Sequence, residues 1–120
     1  MESSPEMPET ITLLEPSDAR ALLERENDLV VLDVRTPQEF EGGHLPNAVN
    51  IDITAPDFEQ RVAELERGPG YVVHCAAGSE GGRSTRALAQ MNSLEFGRLY
   101  HLEGGYNAWS AADLPTAHEP

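Results

Sequence analysis

Two short apolar runs, Leu29 to Val34 and Tyr71 to His74, do most to restrict how this chain can fold. The first is continuous rather than alternating and ends at Asp33 and Arg35, the pattern of a strand buried on both faces. The second follows a firm Gly68-Pro69-Gly70 turn and is buried in the same way. Segments of helical character lie between and around them. Pro16-Ser17-Asp18 opens a helix that runs to about Glu26, with Ser17 as N-cap unless Glu15-Pro16 shifts the boundary. Thr36 and Pro37 provide the N-cap and first position of a short helix, with Glu39 completing a capping box and Gly42-Gly43 ending it. Phe58, Val62 and Leu65 share one face of a helix expected over Pro56 to Glu66. Further helices are expected over Arg83 to Asn92 and Gly105 to Ala112. Shorter strands are expected at Thr10 to Leu13, Ala48 to Ile51 and Arg98 to Leu102. Strands alternating with helices predict an α/β domain with a mainly parallel sheet, in which ligands bind beyond the carboxyl ends of the strands.

The 120 residues suit one such domain. The expected body spans residues 10–116, with tails at 1–9 and 117–120. Net charge is −13, from 8 basic and 21 acidic residues, and there is no lysine. This surface repels nucleic acid and anionic membranes, so neither is an expected partner. No apolar run approaches the roughly 20 residues of a membrane span. Residues 1–10 lack the basic and apolar regions of a secretion signal, and the lone cysteine suits a reducing compartment. The expectation is a cytoplasmic monomer.

That cysteine, Cys75, ends the second buried run at a strand's carboxyl end. It opens the loop Cys75-Ala76-Ala77-Gly78-Ser79-Glu80-Gly81-Gly82-Arg83-Ser84, which leads into a helix. Small side chains leave backbone N–H groups uncovered, and glycines let successive N–H groups point into one concavity. Such a loop holds an anion: a thiolate, the outer sulfur of a persulfide, or an oxyanion. The helix N-terminus, Arg83, Ser84 and Arg86 add a dipole, charge and a hydroxyl. These parts suit nucleophilic attack by Cys75, with the thiolate as the reactive form. The competing expectation is a small buried cysteine that only packs. His74 should point to the opposite side of its strand, as a core histidine. Asp33 and Arg35 can form a partly buried ion pair of structural value, and His44 fixes a Gly-Gly-His-Leu-Pro turn. His101 falls within the last strand pattern. Phe96, Tyr106 and Trp109 read as core or rim aromatics. One cysteine with scattered histidines has no zinc-site spacing, and no metal or cofactor is expected.

Three motifs give the chain a family resemblance. They are Leu32-Asp33-Val34-Arg35 followed by Pro37, Glu39 and Phe40; the run Phe40-Glu41-Gly42-Gly43-His44-Leu45-Pro46-Asn47-Ala48-Val49-Asn50-Ile51; and Leu102-Glu103-Gly104-Gly105-Tyr106-Asn107-Ala108-Trp109. In this order around a strand-end cysteine, they resemble a single-domain rhodanese, a thiosulfate sulfurtransferase-type domain, from about Thr10 to Leu114. The family usually has glycine at position 47, and asparagine also tolerates left-handed geometry. The resemblance implies a five-stranded, mainly parallel sheet with helices on both faces. It implies a Cys75 persulfide that takes sulfur from a small donor such as thiosulfate and gives it to cyanide, a thiol or a protein thiol. Loop N–H groups from Ala76 onward would hold the charged sulfur, Arg83 would close the loop, and Asp33, Arg35 and His44 would support the site.

The loop departs from the family pattern. It is three residues longer than in the usual sulfurtransferase and two longer than in related phosphatase-type domains. Without Glu80-Gly81-Gly82 it would read CAAGSRSTRA, an ordinary member of the sulfurtransferase pattern. Added glycines cost entropy on ordering, and an inward Glu80 would disfavour the thiolate and repel thiosulfate. Altered sulfurtransferase activity is therefore expected. Two other functions fit the residues less well: a cysteine-phosphatase-like enzyme using the enlarged loop, and a non-catalytic interaction or regulatory domain.

Overall fold

The structure, a computed structural model, describes residues 11–77 and 82–118. Five strands form one sheet: β1 (Thr12–Leu14), β2 (Leu29–Asp33), β3 (Val49–Asn50), β4 (Gly70–His74) and β5 (Leu99–Leu102). Every pairing is parallel and the order is β1-β5-β4-β2-β3. The five helices are α1 (Pro16–Arg25), α2 (Pro37–Gly42), α3 (Phe58–Ala63), α4 (Arg83–Ser93) and α5 (Gly105–Ala111). Both central strands are the apolar runs of the sequence, because only a strand covered on both faces can bury such a run.

Side-chain alternation splits the core in two. Leu32, Tyr71, Val73 and Leu99 join Val62, Leu88 and Met91 on the α3/α4 face. Val31, Val72 and Leu102 join Ala19 and Trp109 on the α1/α5 face. Phe96 is buried on the first face, in edge contact with Tyr71.

Local chemistry accounts for the helix ends. The Thr36–Glu39 capping box forms as expected, Glu39 N–H donating to Thr36 Oγ1 at 3.3 Å and Thr36 N–H to Glu39 Oε1 at 2.9 Å. Ser17 is not an N-cap. Glu15 takes that position, because Pro16 has the right φ and no N–H to lose at the first helical residue. Helix α3 is shorter than expected; beyond Ala63 the Glu64 and Leu65 N–H groups bond three residues back, which tightens the last turn. Strands β3 and β5 are each trimmed relative to the sequence pattern, as edge and terminal positions lose pairing first. Asn47 adopts φ 64°, the left-handed geometry for which asparagine can replace glycine. Ala117 forms an antiparallel bridge with His44, each N–H donating to the other's carbonyl at 2.8 Å.

Gly105 sits where α5 comes close to the end of β4. Its φ is 60°, and a β-carbon there would run into the Cys75 and Ala76 carbonyls. Gly105→Ala should lower stability by on the order of 3 kcal/mol from backbone strain plus overpacking. The test is urea unfolding: the midpoint should fall with little change in slope, and an unchanged midpoint would contradict this close approach.

Candidate active site

Cys75 is the first residue after β4, at the carboxyl edge of the sheet. Helix α5 fixes its backbone. Tyr106 N–H donates to the Cys75 carbonyl and Asn107 N–H to the Ala76 carbonyl, both at 2.9 Å. In a trans peptide N–H and C=O point opposite ways, so the Ala76 and Ala77 N–H groups are turned away from α5. Gly78, Ser79, Glu80 and Gly81 lie outside the described residues.

The side chain is buried, as the competing expectation of a packed cysteine has it. Cys75 is only 4% exposed and belongs to the apolar cluster on the α3/α4 face. Strand alternation carries it inward with Tyr71 and Val73, under the start of α4. Burial alone opposes a thiolate. Polar neighbours act the other way. Ser84 Oγ lies 3.3 Å from the sulfur and is itself fully buried. Helix α4 has Gly82 as its N-cap, and among the described residues no side chain caps it and no acidic residue lies in its first turn, which leaves the positive end of its dipole next to Cys75. The Glu39 hydrogen bonds, foremost, hold the Arg83 guanidinium charged against the cost of burial, and the nearby Cys75 adds to the effect.

Arg83 is held by a partner the sequence did not assign. Its guanidinium grips Glu39 of α2 with two bonds, Nη1 to Oε1 at 2.8 Å and Nη2 to Oε2 at 3.1 Å. Glu39 thus serves both the capping box and the loop. The Arg83 bonds hold its carboxyl down from 4.5 to about 2, the Thr36 donors adding to the effect against the cost of burial. Arg86 is exposed, roughly 200° round α4 from the buried Ser84, and lies on the outer face of the helix.

Asp33 and Arg35 are more deeply buried than expected, at 0% and 4% exposure. Arg35 Nε donates to both Asp33 oxygens at 3.0 and 3.1 Å, and Nη2 to Oδ2 at 2.7 Å. Nη2 also donates to the Gly43 carbonyl at 2.7 Å, and the guanidinium lies 4.4 Å from the centre of the Tyr106 ring. The pair therefore joins β2, the α2–β3 turn and α5 beneath the cysteine. His44 stacks on Phe40 with ring centroids 3.8 Å apart, and its Nδ1 donates to the Leu45 carbonyl at 2.8 Å. His74 points away from Cys75, as strand alternation requires. Its Nδ1 donates to the Cys75 carbonyl at 2.9 Å, and Nε2 is 3.7 Å from Asp33 Oδ2. Burial pushes its pKa down, against the opposing pull of Asp33.

His101 is the site neighbour that the sequence pattern passed over. It is 3% exposed on β5, and its Nε2 is 2.7 Å from Ser84 Oγ. Strand parity held the signal: His101 pairs in register with Val73, two residues before Cys75 on the same face. Among the described residues no group of three or more His, Cys, Asp or Glu side chains could hold a metal. A separate cavity of about 360 Å³, lined by Leu23, Leu29, Val31, Leu45, Trp109 and others, lies on the α1/α5 face and shares no residue with the Cys75 site. No helix among the described residues is long and apolar enough to cross a membrane.

A parallel α/β sheet with a lone cysteine at the carboxyl end of its central strand, feeding the N-terminus of a helix, defines a cysteine-centred domain. The chain belongs to the rhodanese-like domain family, whose pattern it matches over residues 15–112. It is 35% identical over 95 residues to thiosulfate sulfurtransferase 16, chloroplastic, of Arabidopsis thaliana, covering 71% of this chain and 77% of that protein. It is 35% identical over 94 residues to the thiosulfate sulfurtransferase GlpE of Pseudomonas syringae, covering 78% of this chain and 82% of the relative. A rhodanese-related protein from Thermoplasma volcanium superposes with a TM-score of 0.76 at 28% identity, over 90% of this chain and 99% of that one.

The Glu39–Arg83 pair has a pH signature. A carboxyl depressed in the folded state contributes stability that is present above its unfolded pKa and lost as pH falls through the folded one. Both partners are partly solvated, which keeps the effect modest. The stability gap between the natural chain and Glu39→Gln should therefore close between pH 4.5 and about pH 2. Denaturant unfolding of both proteins across that range checks it, and a pH-independent gap would contradict it.

Proposed function

We propose that the chain is a sulfurtransferase that moves a sulfane sulfur through a Cys75 persulfide. The Cys75 thiolate attacks the outer sulfur of a donor such as thiosulfate. The sulfur–sulfur bond of the donor breaks, and sulfite leaves with the bonding electron pair. The outer sulfur of the resulting persulfide carries the negative charge. Cyanide, a small thiol or a protein thiol then attacks that sulfur and releases the Cys75 thiolate. No cofactor enters this cycle. Cys75 is the only cysteine of the 120 residues, so the acceptor is an external molecule.

The observation that carries this reading is the placement of Cys75. The thiol sits at the end of β4, against the Ser84 hydroxyl and at the uncapped start of α4. Backbone N–H groups of the 76–82 loop, with Arg83 and Ser84, hold the charged sulfur and the anionic donor in this scheme, while Arg86, on the outer face of α4, faces away from the sulfur. Asp33, Arg35 and His44 support the strand end and the adjoining turn. The relatives named thiosulfate sulfurtransferase support the same chemistry. The working picture remains a monomer of the cytoplasm, with an acidic surface that disfavours nucleic acid.

The direct assay is thiocyanate formation from thiosulfate and cyanide. The natural chain should be active and Cys75→Ser inactive; a Cys75→Ser protein that still turns over would refute the nucleophile. Aryl phosphate hydrolysis should be negligible, and phosphatase turnover exceeding sulfur transfer would favour the phosphatase alternative instead. The extra loop residues give a further prediction. Removing residues 80–82 should raise thiosulfate turnover, through loss of the Glu80 charge and of two glycines' ordering cost. Equal turnover in both forms would show that the extension does not alter activity.

A further inference from the structure

His101 takes no part in the transfer steps, yet it is buried next to them at a position flanked by Tyr100 and Leu102. An imidazole in such a place is costly unless its polar atoms are used. One is used. Nε2 is 2.7 Å from Ser84 Oγ, and Ser84 Oγ is 3.3 Å from Cys75 Sγ. Nδ1 has no hydrogen-bond partner among the described residues. Sulfur, hydroxyl and imidazole thus form one chain of contacts running from β4 through α4 to β5.

The location of one proton decides what that chain does. Burial, with a smaller contribution from His74, lowers the His101 pKa and favours the neutral ring, which carries a single N–H. Orphaned buried N–H groups are rarer than under-satisfied acceptors. The proton therefore belongs on Nε2, where Ser84 Oγ accepts it, and Nδ1 is left as a bare lone pair. Ser84 has one hydroxyl proton. It cannot be given to an Nε2 that is already donating, so it is turned to the sulfur. A donor aimed at the sulfur favours the charged form. The opposite tautomer would draw the Ser84 proton to Nε2, leave only an oxygen lone pair facing the sulfur, and favour the thiol.

We infer that His101 is a positioning residue that donates from Nε2 to Ser84 and thereby directs the Ser84 hydroxyl onto Cys75. This deepens the sulfurtransferase reading and rests on Cys75 being its nucleophile. Other groups also act on the chain of contacts. Arg83 on α4 interacts with Cys75, His74 on β4 with His101, and Asp33 on β2 and Arg35 just beyond it with His74. Glu39 on α2 is tied to Arg83. Substitution at 101 leaves all of these in place and removes only its own bond to Ser84 and its repulsion with His74.

The test is the pH dependence of iodoacetamide alkylation of Cys75 in the full chain, for the natural protein, His101→Leu, His101→Gln, Ser84→Ala and the Ser84→Ala/His101→Leu pair. His101→Leu and Ser84→Ala should each raise the alkylation midpoint by about one pH unit, which is roughly tenfold less thiolate below the midpoint. His101→Gln keeps an N–H near Nε2 and should stay close to the natural protein. The double variant should match Ser84→Ala alone, because His101 acts through that hydroxyl. An unshifted midpoint in His101→Leu, or a double variant shifted well beyond Ser84→Ala, would overturn the inference. Circular dichroism verifies folding. If the leucine variant does not fold, Ser84→Ala with and without His101→Gln decides the matter, and an unshifted Ser84→Ala overturns it. Loss of the transfer reading itself would show separately, as thiocyanate formation that survives Cys75→Ser.

Discussion

The grip of α5 on the end of β4 underlies the rest of the site. Two N–H groups at the start of a helix, those of Tyr106 and Asn107, are spent on the Cys75 and Ala76 carbonyls. They can reach only because Gly105 has no side chain to hold the two backbones apart. This contact sets the direction in which the chain leaves the sheet. It turns the next peptide N–H groups away from α5. The Arg35 guanidinium, lying on the Tyr106 ring and bonded to Asp33 and the Gly43 carbonyl, braces the same junction from below. A buried pair of this kind is more a means of fixing geometry than a source of net stability, since most of its attraction offsets the cost of desolvation.

Around the sulfur, burial and polarity oppose each other. An apolar setting favours the neutral thiol. Ser84, the open end of α4 and the nearby Arg83 favour the anion. Arg83 is itself partly neutralised by Glu39, which gives the loop a fixed anchor on α2 and tempers the positive field. In a chain of net charge −13, these local arrangements matter more than the overall charge, which works against any anionic substrate.

Much of the fold was legible in the chain because its signals are local. The unbroken apolar runs at Leu29 and Tyr71 mark strands covered on both faces, and Thr36-Pro37 with Glu39 specifies a helix start that forms as written. Cys75 at a strand end could be located from the same pattern. What escaped depends on contacts distant in sequence. Nothing near Arg83 indicates that its partner is Glu39, 44 positions earlier. His101 looked like an ordinary strand residue, because its meaning comes from lying beside Ser84 of another element. The depth of Cys75 follows from strand parity, which sends the first residue after β4 into the core, as the competing expectation of a packed cysteine has it. Ser17 lost the cap to Glu15 on a finer balance, in which proline's fixed φ outweighed a better capping side chain.

The transfer cycle depends on a Cys75 sulfur that accepts and releases a sulfane atom. Intact-protein mass spectrometry after brief exposure to thiosulfate tests this most directly. A gain of one sulfur atom is expected, mapped by peptide analysis to Cys75 and removed on adding cyanide. A protein of unchanged mass under conditions that load a related sulfurtransferase, or an added sulfur that cyanide does not discharge, would contradict it.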